Sequence, residues 1–204
     1  MHRSFFFLVI IAVGISQSVI GSPSTTSSPT SYESEKAHKW ADSVYQTLSF
    51  EERIGQLMMV AAYSDKGPTH KKNILQLINQ YNIGGLIFFQ GNPSDQLQLT
   101  NSYQKTSQVP LLIGMDAEWG PGMRLDQAMD FPRQMTLGAV QDLSLIKRMG
   151  RHIGLQCQRL GVHINFAPVV DVNNNPDNPV IHMRSFGERP EQVAERASAY
   201  LKGM

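Results

Sequence analysis

Apolar residues recur along this chain in two alternating patterns: short unbroken runs, and stripes spaced three or four residues apart. The runs are Leu57 to Ala62, Leu86 to Phe89, Val109 to Met115 and Val162 to Val170. Each is short and bounded by glycine, proline or polar residues, so each predicts a strand covered on both faces. The stripes lie between the runs. Ile74, Leu77, Ile78 and Tyr81 share one side of a helix that Thr69 is placed to cap. Ile146, Met149, Ile153, Cys157 and Leu160 share one side of a helix from Asp142 to Leu160. Val193, Ala197, Tyr200, Leu201 and Met204 do the same from Pro190 to Met204. Ser49 with Glu52 predicts a capping box for a short helix through Gly55. Pro93-Ser94 opens another helix after the second run. Ala117 to Gln141 and Asn173 to Gly187 show no period and predict long loops.

Strands that are apolar throughout, each followed by an amphipathic helix, predict an α/β fold with a parallel sheet covered on both sides. No glycine-rich phosphate fingerprint follows the first run, which favours a (β/α)8 TIM-type barrel over a dinucleotide-binding sheet. A complete barrel takes about 250 residues. Residues 36–204 supply about half its strands, so only the N-terminal part of a barrel is expected. The chain ends on an amphipathic helix, where the next strand is due, and an open half barrel exposes strand edges. The sequence therefore reads as a fragment.

Composition adds an address. Arg3, the apolar run Phe5 to Ile15, and Val19 with Gly21 at the small-residue positions predict a cleaved signal peptide over 1–21. Export to the periplasm or the medium follows, without stable membrane insertion after cleavage. Residues 22–35 form a Ser/Thr/Pro linker, and the globular part, 36–204, begins near Glu35 to Trp40. Hydrophobic residues make up 41% of the chain, which excludes a wholly disordered or collagen-like chain. Loss of the leader removes Arg3 and no acid, leaving 17 acidic residues balanced by as many basic ones. A neutral chain without a basic run does not support nucleic-acid binding. Cys157 is the only cysteine, which precludes an internal disulfide, and its place on a helical stripe predicts a buried, inert thiol.

In parallel barrels ligands sit on the loops after the strands. The third run is followed by Asp116-Ala117-Glu118-Trp119-Gly120 and Gly122-Met123-Arg124. The fourth is followed by Asp171 to Pro176 and Arg184-Ser185-Phe186-Gly187. Carboxylates and guanidinium forks pair with neighbouring hydroxyls, and an aromatic face covers the apolar side of a pyranose, so these loops suit a sugar. On position alone Asp116 serves equally as a turn cap or a ligand, and Arg124 and Arg184 as ion-pair partners or hydroxyl binders. Trp119 fits loop packing as well as sugar stacking. Glu118 reads as a solvated loop acid, Asp171 as a loop anchor, and Asn173 to Asn178 as turn formers. His163 and His182 do not make a metal set.

Taken in order, a series of segments resembles the N-terminal domain of glycoside hydrolase family 3, and within it the bacterial β-N-acetylhexosaminidases. They are Ile54-Gly55-Gln56-Leu57, Asn82 to Ile87, Gly114 to Gly120, Phe166 to Asn173, Asn178 to Ile181 and Arg184-Ser185-Phe186-Gly187. The resemblance implies that Asp116, Arg124 and Arg184 hold the non-reducing-end sugar, with Asp171 structural. Trp119 stands where the family's Glu-Gly-Gly segment has a glycine. The implied chemistry is retaining, through an aspartate nucleophile and a covalent glycosyl-enzyme, with a histidine proton donor in a Lys-His-Phe-Pro-Gly-His-Gly-type loop. Neither that loop nor the later aspartate occurs among these 204 residues, so no catalytic residue is assigned and the fragment alone is expected to be inactive. No cofactor and no metal is implied. The expected partner is an N-acetylglucosamine-containing oligosaccharide from peptidoglycan or chitin. A non-catalytic sugar-binding protein and a β-glucosidase-type member of the same family are the alternatives.

Overall fold

The computed structural model describes residues 31–204, so the leader and residues 22–30 of the linker lie outside the described residues. Helix α1 (Ser31–Thr47) begins inside the segment read as linker, and the first buried apolar side chain after it is Leu48. The capping box then forms. Ser49 Oγ accepts the Glu52 N–H, the Glu52 carboxylate accepts the Ser49 N–H at 2.8 Å, and α2 (Phe50–Gly55) follows.

Four strands make one parallel sheet in the order β1-β2-β3-β4, with β1 (Met59–Ala62), β2 (Gly85–Phe88), β3 (Leu112–Met115) and β4 (Ile164–Asn165). Helices α3 (Gly67–Tyr81), α4 (Pro93–Thr106) and α6 (Leu143–Arg159) are the crossovers, and α7 (Pro190–Gly203) follows the last loop. A strand–helix alternation with sequential parallel neighbours is barrel-type winding. The sheet has not closed on itself, so this is part of a barrel.

Three of the four strands are shorter than their apolar runs, for separate reasons, and the other is shifted by one residue. Leu57 is 77% exposed because Leu57 and Met58 still donate to Ile54 and Gly55 as the chain leaves α2. That turn is tight: a Cβ on Gly55 would lie 1.8 Å from the Tyr81 carbonyl oxygen. At β2 the difference is small: the strand starts one residue early and Phe89 falls just past its end. Before β3, the Gln104 side chain takes both backbone groups of Leu111, at 2.7 and 2.9 Å, so the ladder starts at Leu112. β4 ends early because its neighbour is on one side only and Pro168 has no N–H to donate.

The helix starts shift too. α3 begins at Gly67 with Pro68 in its first turn, and Lys66, not Thr69, is its N-cap. Asn92 caps α4 and Asp142 caps α6 through their side chains. The stretch from Ala117 to Gln141, expected to be irregular, contains a 3-10 turn (Pro121–Met123) and α5 (Gln134–Gly138).

Side-chain alternation sorts the strands into two faces. Ala62, Leu86, Phe88, Ile113 and Met115 join Ile74, Ile78, Ile146, Ile153 and Tyr200 in the core beneath the helices. Met59, Gly85 and Gly114 lie on the other, inner face, where a Cβ on Gly85 or Gly114 would meet the Met59 side chain. Cys157 is buried as expected, and burial pushes its thiol up to about 11.

Candidate functional site

The inner face carries the site to the carboxyl ends of the strands. Phe88 pairs with Met115 in register, so the next residues, Phe89 and Asp116, stand side by side on the inner face. By the same step Tyr63 adjoins Phe89, and their rings stack with centroids 5.7 Å apart.

Asp116 and Arg124 form the first ion pair. Arg124 Nε donates to the Asp116 carbonyl oxygen at 2.8 Å, and its Nη2 donates to Asp116 Oδ2. The same guanidinium lies 5.0 Å from the Phe89 ring centroid. Asp116 Oδ1 accepts no hydrogen bond from the described residues, so one carboxylate oxygen of the pair is left unpaired.

The second pair reverses the expectation for Glu118. It is not a solvated loop acid; it is fully buried, and Arg184 forks onto it with Nε–Oε1 2.9 Å, Nε–Oε2 3.1 Å and Nη2–Oε1 2.6 Å. Arg184 reaches it from the other loop, so the buried acid has a guanidinium partner from a distant segment. The Arg184 Nη1 donates to the Val180 carbonyl at 3.3 Å, which gives each of its nitrogens a protein acceptor. Its guanidinium is held above the ordinary arginine value, first by its hydrogen bonds to Glu118, which outweigh the opposing effect of burial, and then by the Glu118, Asp116 and Asp171 charges. The loops after β3 and β4 therefore converge on one mouth, and Asp116, Arg124 and Arg184 all face it. Asp171 contributes its backbone: its carbonyl accepts the Ser185 hydroxyl.

Beneath this mouth the structure supplies supports that the sequence reading missed. Asn165 clamps Ala117 at both backbone groups, accepting its N–H at 3.0 Å and donating to its carbonyl at 3.2 Å. Gln134 of α5 and Tyr200 of α7 donate to the Glu118 carbonyl at 3.0 and 3.3 Å. The available signal for Asn165 was its polarity inside an apolar run. For Tyr63 and Phe89 it was their place just past the first strand and at the end of the second run, the same rule that singled out Asp116.

The other candidates take quieter places. Trp119 is half-buried, with the Arg133 guanidinium 4.7 Å from its ring centroid and the Phe131 N–H on its carbonyl. Asn175 and Asn178 cap local turns, as expected of the Asn-rich loop. His163 Nδ1 accepts the Ile113 N–H at 3.0 Å. No group of three metal-ligating side chains gathers among the described residues. Open clefts of about 260 to 530 Å³ lie along α6 and α7 and between α3 and α4. The mouth itself is an open wall, because the sheet around it has not closed.

Comparison with known proteins gives this geometry a family. Residues 49–204 match the Glycosyl hydrolase family 3 N terminal domain. Over 140 residues the chain is 40% identical to beta-hexosaminidase A of Pseudoalteromonas piscicida, covering 62% of this chain and 23% of that protein. It is 26% identical over 165 residues to the beta-N-acetylglucosaminidase/beta-glucosidase of Cellulomonas fimi, covering 81% of this chain and 28% of that one. A solved family 3 beta-N-acetylglucosaminidase from Paenibacillus sp. str. FPU-7 superposes with a TM-score of 0.68 at 33% identity, over 76% of this chain and 31% of that one. The chain thus spans less than a third of the length of each of these relatives. With parallel winding, strand-end loops and an ordered family match in agreement, the chain belongs to glycosyl hydrolase family 3, and its four-stranded sheet is part of that family's N-terminal barrel domain.

Proposed function

We propose that the protein is an exported, retaining glycoside hydrolase of the β-N-acetylhexosaminidase type, in which these residues hold the sugar. The acid/base group and the nucleophile are supplied from outside them. The substrates are N-acetylglucosaminyl oligosaccharides derived from peptidoglycan or chitin. The observation that carries the reading is the mouth itself: two acid–arginine pairs from separate loops, with Asp116 Oδ1 left open to a hydroxyl donor. Asp116 and Arg124 bind the sugar directly. Arg184 orients the loop by locking Glu118 and offers its remaining N–H groups to the same ring.

Two relatives named for hexosaminidase or N-acetylglucosaminidase activity support the N-acetyl sugar. The Cellulomonas protein, named for both that activity and beta-glucosidase, supports a glucoside as the second reading. An aryl N-acetylglucosaminide incubated with the purified 204-residue chain is expected to stay intact, while N-acetylglucosamine binds and Asp116→Asn weakens it. Turnover by this chain, or binding indifferent to Asp116, would overturn the reading. Export predicts a mature N-terminus at Ser22, read by mass spectrometry of the secreted product.

A further inference from the structure

The two loops of the mouth are tied together by α5. At its start, Gln134 donates to the Glu118 carbonyl at 3.0 Å. At its end, Gly138 lies against the segment that follows Arg184, where a Cβ on it would stand 2.1 Å from the Phe186 carbonyl oxygen. One short helix therefore spans from the acid of the second ion pair to the stretch of chain that carries its arginine. With five residues, α5 is far too short to hold itself helical. Its last carbonyls are gripped from α7. Gln192 Nε2 donates to the Gly138 carbonyl at 2.8 Å and to that of Phe186 at 3.5 Å. Arg196, one helical turn further on, donates from Nη2 to the Val140 carbonyl at 3.0 Å and from Nε to that of Leu137 at 3.4 Å.

Arg196 is only 6% exposed, and the carboxylate that pairs with it, on the exposed Glu195, stands 4.0 Å from Nη1, beyond hydrogen-bond reach. A buried charge without a close counter-ion is costly. What offsets that cost is the carbonyl end of α5, where a cation is favoured. We propose that Arg196 is a positioning residue for the mouth. By fixing the far end of α5 it keeps Gln134 on the Glu118 carbonyl, and so sets how Glu118 meets Arg184 and how Asp116, two residues earlier, is presented. Arg196 itself touches no ligand. The proposal takes its ligand from the carbohydrate reading above, while the positioning is a property of the chain alone.

The test compares the nitrogen-labelled 204-residue chain with Arg196→Met, Arg196→Lys and Gln192→Leu. Ile78→Ala, at a buried residue of α3 rather than of α5 or α7, is the control for lowered stability. Two quantities are read: the Arg184 Nε–H resonance without sugar, and the affinity for N-acetylglucosamine by ligand-observed NMR. Arg196→Met should shift or broaden the Arg184 signal and weaken binding about three- to tenfold, the equivalent of one ordinary hydrogen bond. Arg196→Lys, which keeps the charge and a donor, should recover most of both. Gln192→Leu, which removes the parallel grip on Gly138, should move both in the direction of Arg196→Met and takes its place if that variant does not fold. Ile78→Ala should move neither. An unchanged resonance or an unchanged affinity in Arg196→Met overturns the positioning role, as does an equal loss in Ile78→Ala, and each leaves the carbohydrate reading standing. Failure of the unsubstituted chain to bind the sugar overturns the carbohydrate reading, while the Arg184 resonance still decides the role of Arg196.

Discussion

The Glu118–Arg184 pair gives a prediction with a built-in asymmetry. The two partners differ in exposure: 1% of the Glu118 side chain reaches solvent against 35% of the Arg184 side chain. Arg184→Met leaves a carboxylate sealed under the loop with no counter-charge, and breaking a buried pair in that way costs about 3–5 kcal/mol. Glu118→Gln leaves the charge on the partner that water already reaches, so most of its solvation returns. The glutamine oxygen still accepts one N–H from the fork, and the expected cost falls to about 1–3 kcal/mol. Because the pair is one interaction, the double variant should cost less than the sum of the singles. Urea denaturation followed by tryptophan fluorescence measures all three, since Trp119 sits beside Glu118 in the same loop. A domain of this kind has about 5–15 kcal/mol of stability to lose, so the difference is readable. Costs below about 1 kcal/mol for both singles, as for a surface pair, would refute the reasoning. So would a Glu118→Gln cost larger than that of Arg184→Met.

Three further outcomes follow from packing and titration. Gly150→Val should destabilise by about 1–3 kcal/mol, read as a lower denaturation midpoint, because a Cβ there lies 2.2 Å from the Tyr200 carbonyl and pushes α7 off α6. Cys157, its thiol pushed up to about 11 by burial, should resist a thiol reagent in the native protein and react once urea exposes it. Its protonated form is favoured in the fold, so that contribution is present below the ordinary thiol value and is lost as pH rises toward about 11. His70 is held below its ordinary value by burial first and by Lys66 second, with Asp65 opposing. A base depressed in the fold adds stability above its unfolded value and loses it as pH falls, since protonation also ends its acceptance of the Tyr63 N–H. The denaturation midpoint should therefore drop on going from about pH 7.5 to about pH 5, and the drop should shrink in His70→Gln.

Much of this molecule is decided locally, and that part was legible in the residues. The capping box at Ser49 and Glu52, the stripe on α6 and the apolar runs at all four strands depend on neighbours within a few positions. Alternation of such units leaves few topologies, so barrel-type winding followed, and with it the rule that put Asp116 at the mouth. Strand ends were less legible because they depend on what competes for the backbone: Gln104 for Leu111, and the turn out of α2 for Leu57 and Met58. The site divides the same way. Residue types and order announced two polar loops, but spacing along the chain carries no information about which acid meets which arginine. Only the tertiary structure brings Arg184 across to Glu118 and buries that acid, because a charge can lose water only where a partner from a distant segment replaces it. The Tyr63–Phe89 stack and the Asn165 clamp are likewise products of register between strands far apart in sequence.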